Sequence, residues 1–266
     1  MKVEIDIIEL SERSAKFILS DVDTSVANGI RRAMIADVPN LAIEWLELYD
    51  NTSVLYDEQL GLRLALVPLT MHPDYVPESE CTCNGEGCPS CTLNLRLDAK
   101  GPKTVYSGDI FSSDPNVRPA DDNIPIVELK EGQNIMLGAI AHVGYGRDHV
   151  RWQAGVACGY KNMPDVIIEN CDGCGHCIDE CPRHIIEIKN DEAYISPENM
   201  IKCSLCRLCE RACSLKPPAI QVSYDPRSFV FTYESDGSYS AKDLVLKAAD
   251  VIENRAGKMA EILDKI

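Results

Sequence analysis

The chain has 266 residues, of which 45% are hydrophobic and 26% charged, a composition typical of a globular protein with room for two or three domains. Its formal net charge of -16 and its lack of any Lys- or Arg-rich block disfavour a nucleic-acid-binding surface. No apolar run reaches the roughly 18 residues of a membrane-spanning helix, and the first ten residues alternate acids with aliphatics where a signal peptide would be apolar. We therefore expect a cytoplasmic protein with little or no direct DNA contact and no membrane contact.

The N-terminal segment has the pattern of two strands and a helix. KVEIDIIEL and SAKFILS alternate apolar and polar residues, which predicts two strands joined by a polar turn at 11–13. Asp23, Thr24 or Ser25 then caps a helix that Pro39 ends. Gly29 within this helix costs about 1 kcal/mol relative to alanine, which favours close backbone packing there, with flexibility alone as the alternative. The apolar positions on one helix face are Val26, Ile30, Met34 and Val38.

The middle region, 39–164, consists of alternating segments such as LAIEWLELYD between Pro and Gly turns, and is predicted to be mostly sheet. It contains CTCNGEGCPSC, in which four cysteines have the spacing C-x-C-x4-C-x2-C. Four thiolates so close together, with Gly85 and Gly87 to let the backbone turn, suit a closed tetrahedral zinc site without a catalytic open position. A disulfide pair or a metal-free loop is the alternative. The predicted zinc ligands are Cys81, Cys83, Cys88 and Cys91.

Eight further cysteines form two tandem runs, CDGCGHCIDEC and CSLCRLCERAC, each with the spacing C-x2-C-x2-C-x3-C. In two-cluster ferredoxins, three cysteines of a run bind one [4Fe-4S] cluster and the fourth binds the other. Eight structural thiols or zinc ligands are the alternative. The ligands predicted for the first cluster are Cys171, Cys174, Cys177 and Cys213. The ligands predicted for the second cluster are Cys181, Cys203, Cys206 and Cys209.

Short β-branched segments surround these runs, from PDVIIEN to PPAIQVSY, and predict a compact insert of about 60 residues. The isolated Cys158 is interpreted as a buried thiol that acts as a small hydrophobe.

The C-terminal segment predicts a strand, SFVFTYES, and a long helix that Ser240 and Asp243 cap. The apolar side chains of this helix form one long stripe, which favours packing partly on another subunit, with an entirely internal core as the alternative. The stripe consists of Leu244, Ala248, Val251, Ile252, Met259, Ile262, Leu263 and Ile266.

Two segments resemble a known family. The sequence NGIRRAMIADVPNLAIEWLELYDNTSVLYDEQLGLRLALVPL, at 28–69, resembles the N-terminal signature of the D subunits of archaeal RNA polymerase. These subunits are related to the third-largest subunit of eukaryotic polymerase II and to the N-terminal domain of the bacterial α subunit. AHVGYGRDHVRWQAGVACGY, at 141–160, is similar to a second block shared by the archaeal and eukaryotic members. The resemblance extends over essentially the whole chain.

The resemblance implies an α+β fold with a discontinuous α-like dimerisation domain, an inserted mainly β domain and a ferredoxin-like iron-sulfur domain. The corresponding segments are 1–38 with 222–266, then 39–164 with a zinc loop at 81–91, and 165–221. The zinc loop looks like that of the eukaryotic relative, although its middle gap is one residue longer.

The resemblance also implies a non-catalytic assembly platform for transcription. It would pair with the small subunit L and carry the two large catalytic subunits and the small subunits N and P. Nothing in this chain resembles the carboxylates that hold the catalytic magnesium. Two [4Fe-4S] clusters would stabilise the insert, and their response to oxygen or iron supply is a further hypothesis. The residues expected to face L are Val26, Ile30, Met34, Leu244, Val251, Ile252 and Met259.

Two other functions compete with this interpretation. An electron-transfer, ferredoxin-type subunit of an anaerobic oxidoreductase would use the same eight cysteines, but no G-x-G-x-x-G motif for a dinucleotide follows any predicted strand. A zinc-knuckle nucleic-acid binder is disfavoured by the acidic charge and by the lack of an aromatic-rich basic surface.

Overall fold

The computed structural model describes residues 3–83 and 86–265 and shows a mixed α and β fold. The strands are β1 (Glu4–Leu10), β2 (Ser14–Ser20), β3 (Pro39–Asn51), β4 (Thr92–Lys100), β5 (Lys103–Tyr106), β6 (Phe111–Ser112), β7 (Pro125–Leu129), β8 (Asn134–Tyr145), β9 (Gly159–Ile168), β10 (Glu187–Lys189), β11 (Glu192–Tyr194) and β12 (Ile220–Glu234). The α-helices are α1 (Thr24–Ala36), α2 (Asp57–Ala65), α3 (His176–Asp179), α4 (Pro197–Met200), α5 (Leu208–Ala212) and α6 (Ala241–Leu263). None of the helices in the described ranges is long and apolar enough to cross a membrane.

The chain forms two compact units. The first consists of Met1–Ile8, Lys16–Ala27 and Gly159–Phe231, and the second of Glu9–Ala15, Asn28–Cys158 and Thr232–Ile266. Helix α1 and strand β12 each begin in the first unit and end in the second. The three-part division implied by the family resemblance stays a prediction.

The first unit contains a four-stranded sheet with the strand order β1-β2-β12-β9. Its core includes Phe17 stacked on Phe231, with ring centroids 5.1 Å apart, and Tyr160 edge-on to Phe229. The segment between β9 and β12 has only the antiparallel hairpin β10-β11 and the short helices α3, α4 and α5. Its small hydrophobic core includes cysteines as well as Ile185, Ile186 and Ile220. A segment with so little regular structure can bury only a small hydrophobic core of its own.

The second unit contains an antiparallel sheet with the order β3-β8-β4-β6 and a separate β5-β7 pair. Strand β3 pairs with β8 from Pro39↔Tyr145 to Asn51↔Ile135. Alternate side chains of β4 and β8 are buried, so one face of the sheet lies on the core. The core includes Leu41, Ile43, Leu60, Leu64, Leu93, Leu97, Ile135 and Leu137.

The strands predicted at the N-terminus and the mostly β middle region are confirmed, and helix α1 shows two differences. The helix ends at Ala36 instead of Val38, because the residue before a proline is disfavoured in helical conformation and Pro39 starts β3. The prediction of close packing at Gly29 is wrong within this chain, since a Cβ added there meets no atom within 4 Å.

Two further elements differ from the sequence prediction. Helix α2 lies in the region expected to be mostly sheet, although Asp57 and Glu58 in its first turn and Leu60 and Leu64 one turn apart are helix signals. Strand β12 runs through Pro226 and joins most of PPAIQVSY to SFVFTYES, which the sequence pattern presented as separate segments.

The cap and the apolar stripe of α6 are visible in the second unit. The Oγ of Ser240 accepts a hydrogen bond from the backbone amide of Asp243 at 3.1 Å, as predicted, and the Tyr233 hydroxyl donates to the carbonyl of Ala241 at 2.7 Å. Leu244 and Ala248 are buried, whereas later stripe residues are exposed, so the stripe is not wholly internal core. These exposed residues are Ile252, Met259, Ile262 and Leu263, and Ile266 lies outside the described residues.

The residues expected to face subunit L differ in exposure. Met34 and Leu244 are 0% exposed, so within this chain they are core residues and offer no surface. Ile30 and Val251 are half-buried. Val26 and Ile252 are each 38% exposed, and Met259 is 64% exposed.

Candidate metal centres

Four cysteines converge between the 3₁₀ turn at Glu78–Glu80 and strand β4. The Sγ atoms of Cys81 and Cys88 lie 3.4 Å apart, those of Cys83 and Cys91 3.5 Å, and those of Cys88 and Cys91 3.8 Å. All four sulfurs lie within 4.8 Å of one another. Thiolates about 2.3 Å from one tetrahedral zinc ion are about 3.8 Å apart. The geometry fits a closed metal site, and the disulfide alternative is wrong because all four thiols are free.

The four cysteines and the turn that joins them are called the knuckle. Its backbone hydrogen bonds favour thiolate ligands. The amides of Cys91 and Thr92 donate to the carbonyl of Cys88 at 3.0 and 2.9 Å, which closes a tight turn. A hydrogen bond from the Ser90 backbone lowers the pKa of the Cys88 thiol, and the thiolate is the form that binds metal. A backbone hydrogen bond from Cys83 acts in the same direction on Cys81, but the neighbouring thiols raise the pKa of Cys81 to about 12. Gly87 has a φ of 79°, as predicted for a turning backbone, whereas Gly85 lies outside the described residues.

A histidine bridge lies beside the knuckle. The Nδ1 of His142 on β8 is 3.1 Å from a carboxylate oxygen of Glu44, and its Nε2 is 3.3 Å from one of Glu78. Glu78 belongs to the 3₁₀ turn that leads into Cys81, so the bridge ties this turn to the sheet. No local sequence pattern identifies the bridge, because its three residues are distant in the chain.

The eight remaining run cysteines line two separate cavities in the first unit. The set predicted for the first cluster lines one cavity, and the set predicted for the second lines the other. Cys213 therefore lies with the first run and Cys181 with the second, as the crossover pattern predicts. Helices α3 and α5 pack against each other and carry these cysteine runs together.

The electrostatic environment of the thiols agrees with this grouping. Burial raises the pKa of Cys177, and the nearby thiols of its own cavity raise it further. Burial raises the pKa of Cys209 to about 11, again with contributions from the thiols of its cavity. The thiols that affect Cys177 are Cys171, Cys174 and Cys213. Those that affect Cys209 are Cys203, Cys181 and Cys206.

The sulfurs of the two cavities are more widely spaced than those of the knuckle. Apart from the knuckle, no three metal-binding side chains among the described residues have ligand atoms within 4.8 Å of one another. Four thiolates around a shared cavity suit a [4Fe-4S] cluster.

The two runs also share a backbone conformation. Gly173 and Leu205, which hold equivalent positions, have φ values of 68° and 59°. Gly175 and Arg207 have φ values of 82° and 58°. Glycine adopts this left-handed conformation freely, whereas other residues pay about 1–2 kcal/mol. The second run therefore holds two strained residues, which the surrounding structure must stabilise.

Backbone amides point at three of the run sulfurs. The amide of Ala193 donates to Cys171, that of Ala219 to Cys213 and that of Leu205 to Cys203, at 3.4, 3.3 and 3.5 Å. Hydrogen bonds to cysteine sulfurs stabilise their negative charge and help to set cluster potentials.

Lys161 is a residue of this region that the sequence pattern did not identify. Its half-buried ammonium group on β9 donates to the carbonyl oxygens of Ile201, at 2.6 Å, and of Cys203. Burial lowers the pKa of Lys161. These contacts hold the start of the second run against β9. The isolated Cys158 lies elsewhere and is half-buried, and burial raises the pKa of its thiol to about 11.

Comparison with known proteins identifies the family. The DNA-directed RNA polymerase subunit Rpo3 of Methanosarcina acetivorans is 62% identical to this chain over 268 aligned positions that cover 100% of both chains. The chain belongs to the Rpo3 family of archaeal RNA polymerase subunits. The Rpo3 proteins of Methanosarcina mazei and Archaeoglobus fulgidus are 61% and 41% identical to it, again with full coverage of both chains. A family model described as the RNA polymerase Rpb3/RpoA insert domain matches residues 54–156.

Membership of the Rpo3 family confirms the predicted family and the predicted role in transcription. The match to the insert domain covers the cysteine knuckle and strands β4 to β8 of the second unit. The electron-transfer alternative receives no support, because these relatives are all polymerase subunits.

Proposed function

We propose that the chain is a non-catalytic assembly platform of a cytoplasmic archaeal RNA polymerase. The observation that carries this proposal is the 62% identity to an Rpo3 protein over the full length of both chains, which includes both cysteine-rich regions and both ends. The two large subunits would supply the catalytic carboxylates and magnesium. This chain would hold those subunits in place, together with the small subunits N and P.

The proposed partner surface for subunit L lies on the end helices. Helix α6 exposes a row of apolar side chains beyond Ala248, and contiguous exposed apolar surface marks protein interaction sites. Met34 and Leu244 are already buried, so we assign the pairing surface to the members of the predicted set that retain exposed area. In the second unit these members are Ile30, Val251, Ile252 and Met259, and Val26 of the first unit is a separate prediction.

The proposed cofactors are one zinc ion and two [4Fe-4S] clusters. Zinc would be held by the knuckle, Cys81, Cys83, Cys88 and Cys91, where the sulfur spacing supports it. The clusters would be held in the two cavities by the eight run cysteines. Because metal binding is coupled to folding, the clusters would stabilise a ferredoxin-like segment with a limited core. A response of assembly to oxygen through these thiolates is part of the proposal.

Anaerobic co-purification tests the proposed function. The tagged chain is expressed with an L-type subunit and then with the large polymerase subunits, and iron, sulfide and zinc are counted in the purified complex. We expect a stable pair with L, recruitment of the large subunits, eight irons in two clusters and one zinc per chain. Recovery with a flavoprotein and without polymerase subunits would overturn the platform role.

A further inference from the structure

The two cysteine cavities differ in the charges that line them. Arg183 and Arg207 line the cavity of the second set of ligands, and no acidic residue does. Asp172 lines the cavity of the first set, and no Lys or Arg does. This contrast is local, because the chain as a whole carries a formal charge of -16.

The positive charge at the second cavity is largely unneutralised. Among the described residues, neither the Arg183 nor the Arg207 guanidinium has a hydrogen-bond or ion-pair partner. Lys161 and Arg211 lie close enough to interact electrostatically with Cys203 and Cys206. An acid also lies near this cavity.

That acid is Glu210, whose carboxylate accepts a hydrogen bond from the amide of Val222 at 3.3 Å, and Val222 lines the cavity. The lining of the second cavity itself carries two positive charges and no negative one.

The Asp172 carboxylate at the first cavity is fixed by a backbone hydrogen bond. The carboxylate of Asp172 accepts a hydrogen bond from the amide of Cys174 at 3.2 Å.

We propose that Arg183 and Arg207 make the cluster held by Cys181, Cys203, Cys206 and Cys209 the more readily reduced of the two. The inference rests on the proposed presence of two clusters. Reduction transfers one electron from a low-potential one-electron donor to the iron-sulfur core, with no thiolate bond broken and no proton moved. The added negative charge is stabilised by nearby cations and destabilised by a nearby carboxylate.

Two other determinants of potential do not reverse this order. Each cavity has one exposed cysteine, Cys174 or Cys206, but two of the other three thiols of the first set are half-buried, whereas all three of the second set are buried. The greater solvent exposure of the first set favours its reduction. The first set receives two amide hydrogen bonds to sulfur and the second set one, which favours reduction of the first. One extra backbone dipole and the greater exposure of the first set are outweighed by the full charges of opposite sign at the two cavities, although solvent screens the exposed arginines.

An anaerobic redox titration of the full chain paired with L, followed by EPR, tests the inference. Dithionite and mediator dyes serve as electron donors and set the potential. Arg183→Gln and Arg207→Gln are each expected to lower the reduced-to-oxidised ratio of the higher-potential cluster about tenfold at fixed potential, equivalent to about 59 mV for one electron. The lower-potential cluster should be unchanged. Arg207→Lys, which keeps the charge, should restore the ratio.

A variant at the first cavity tests the same inference from the opposite side. Asp172→Asn keeps the oxygen that accepts the Cys174 amide and removes only the charge, so it should make the lower-potential cluster easier to reduce. If the arginine variants shift the lower-potential cluster or neither cluster, the inference is overturned while the two-cluster proposal stands. Iron and sulfide counts that show fewer than two clusters would overturn both.

Discussion

Asp37 and Arg255 are 218 positions apart in the chain and form a bidentate ion pair, with guanidinium-to-carboxylate distances of 2.6 and 2.7 Å. Asp37 follows helix α1 and Arg255 lies on α6, so the pair joins two end segments within the second unit. Arg147 adds a third group, 3.1 Å from the same carboxylate. The carboxylate of Asp37, in the segment 28–69, thus connects this segment to the segment 141–160 and to helix α6.

Replacing Asp37 with Asn should destabilise the second unit in a pH-dependent way. Hydrogen bonds from Arg255, and secondarily Arg147, lower the pKa of Asp37. Its contribution to stability is therefore complete above the unfolded-state pKa of about 3.9 and is lost as pH falls through the lower folded-state pKa. Because Arg255 is half exposed, we expect a loss of about 1 kcal/mol at pH 7.

Urea unfolding followed by tryptophan fluorescence measures this effect, since both Trp45 and Trp152 belong to the second unit. The difference between wild type and Asp37→Asn should shrink as the pH falls below about 4. A difference that is constant or grows at acid pH would show that the ion pair is not its source.

Replacing Gly29 with Ala should stabilise helix α1 by up to about 1 kcal/mol, because alanine is the better helix former and its Cβ meets no atom of this chain. The same fluorescence-monitored unfolding measures the change. Gly146→Ala is a matched control, since its Cβ would lie 2.1 Å from the carbonyl oxygen of Ile35 and should destabilise the unit. Loss of stability in Gly29→Ala would mean that another chain or conformation occupies this space.

Two glycines of the first cysteine run provide a sharper comparison. Both Gly173 and Gly175 have positive φ values, so alanine at either costs about 1–2 kcal/mol in strain. A Cβ at Gly173 would also lie 2.6 Å from the carbonyl oxygen of Asp191, whereas one at Gly175 meets nothing within 4 Å. We expect Gly173→Ala to lose about half of the bound iron and Gly175→Ala to keep it. Equal iron contents would refute the steric explanation.

The division of the eight run cysteines between two cavities could be predicted from the sequence, because their spacing suggests it directly. The His142 bridge and the Lys161 contacts could not, since each depends on strands that meet only in the folded chain. Helix α2 was missed because its few apolar residues lie between segments with stronger strand patterns. The positions of Met34 and Leu244 show a related limit: a helical stripe predicts which residues share a face, but not how far the chain itself covers that face.

Removal of one ligand from each cavity should abolish cluster binding without affecting pairing with subunit L. Cys171→Ser combined with Cys203→Ser is expected to abolish the brown absorbance but to preserve co-elution with L. The reason is that these cysteines belong to the first unit, whereas α6 belongs to the second. Absorbance spectra and size-exclusion profiles of the same anaerobic sample give both answers. Loss of pairing under gentle purification would contradict this separation.

The most direct test of the platform role is the affinity of the chain for subunit L when Ile252 is replaced by Asp. Ile252 is 38% exposed on the apolar stripe of α6, so a buried carboxylate at the interface should weaken pairing at least about tenfold. Glu261→Gln, a change at an exposed polar position of the same helix, serves as the control and should leave the affinity unchanged. Iron content should be normal in both variants. An Ile252→Asp chain that binds L as tightly as wild type would contradict the proposed pairing surface.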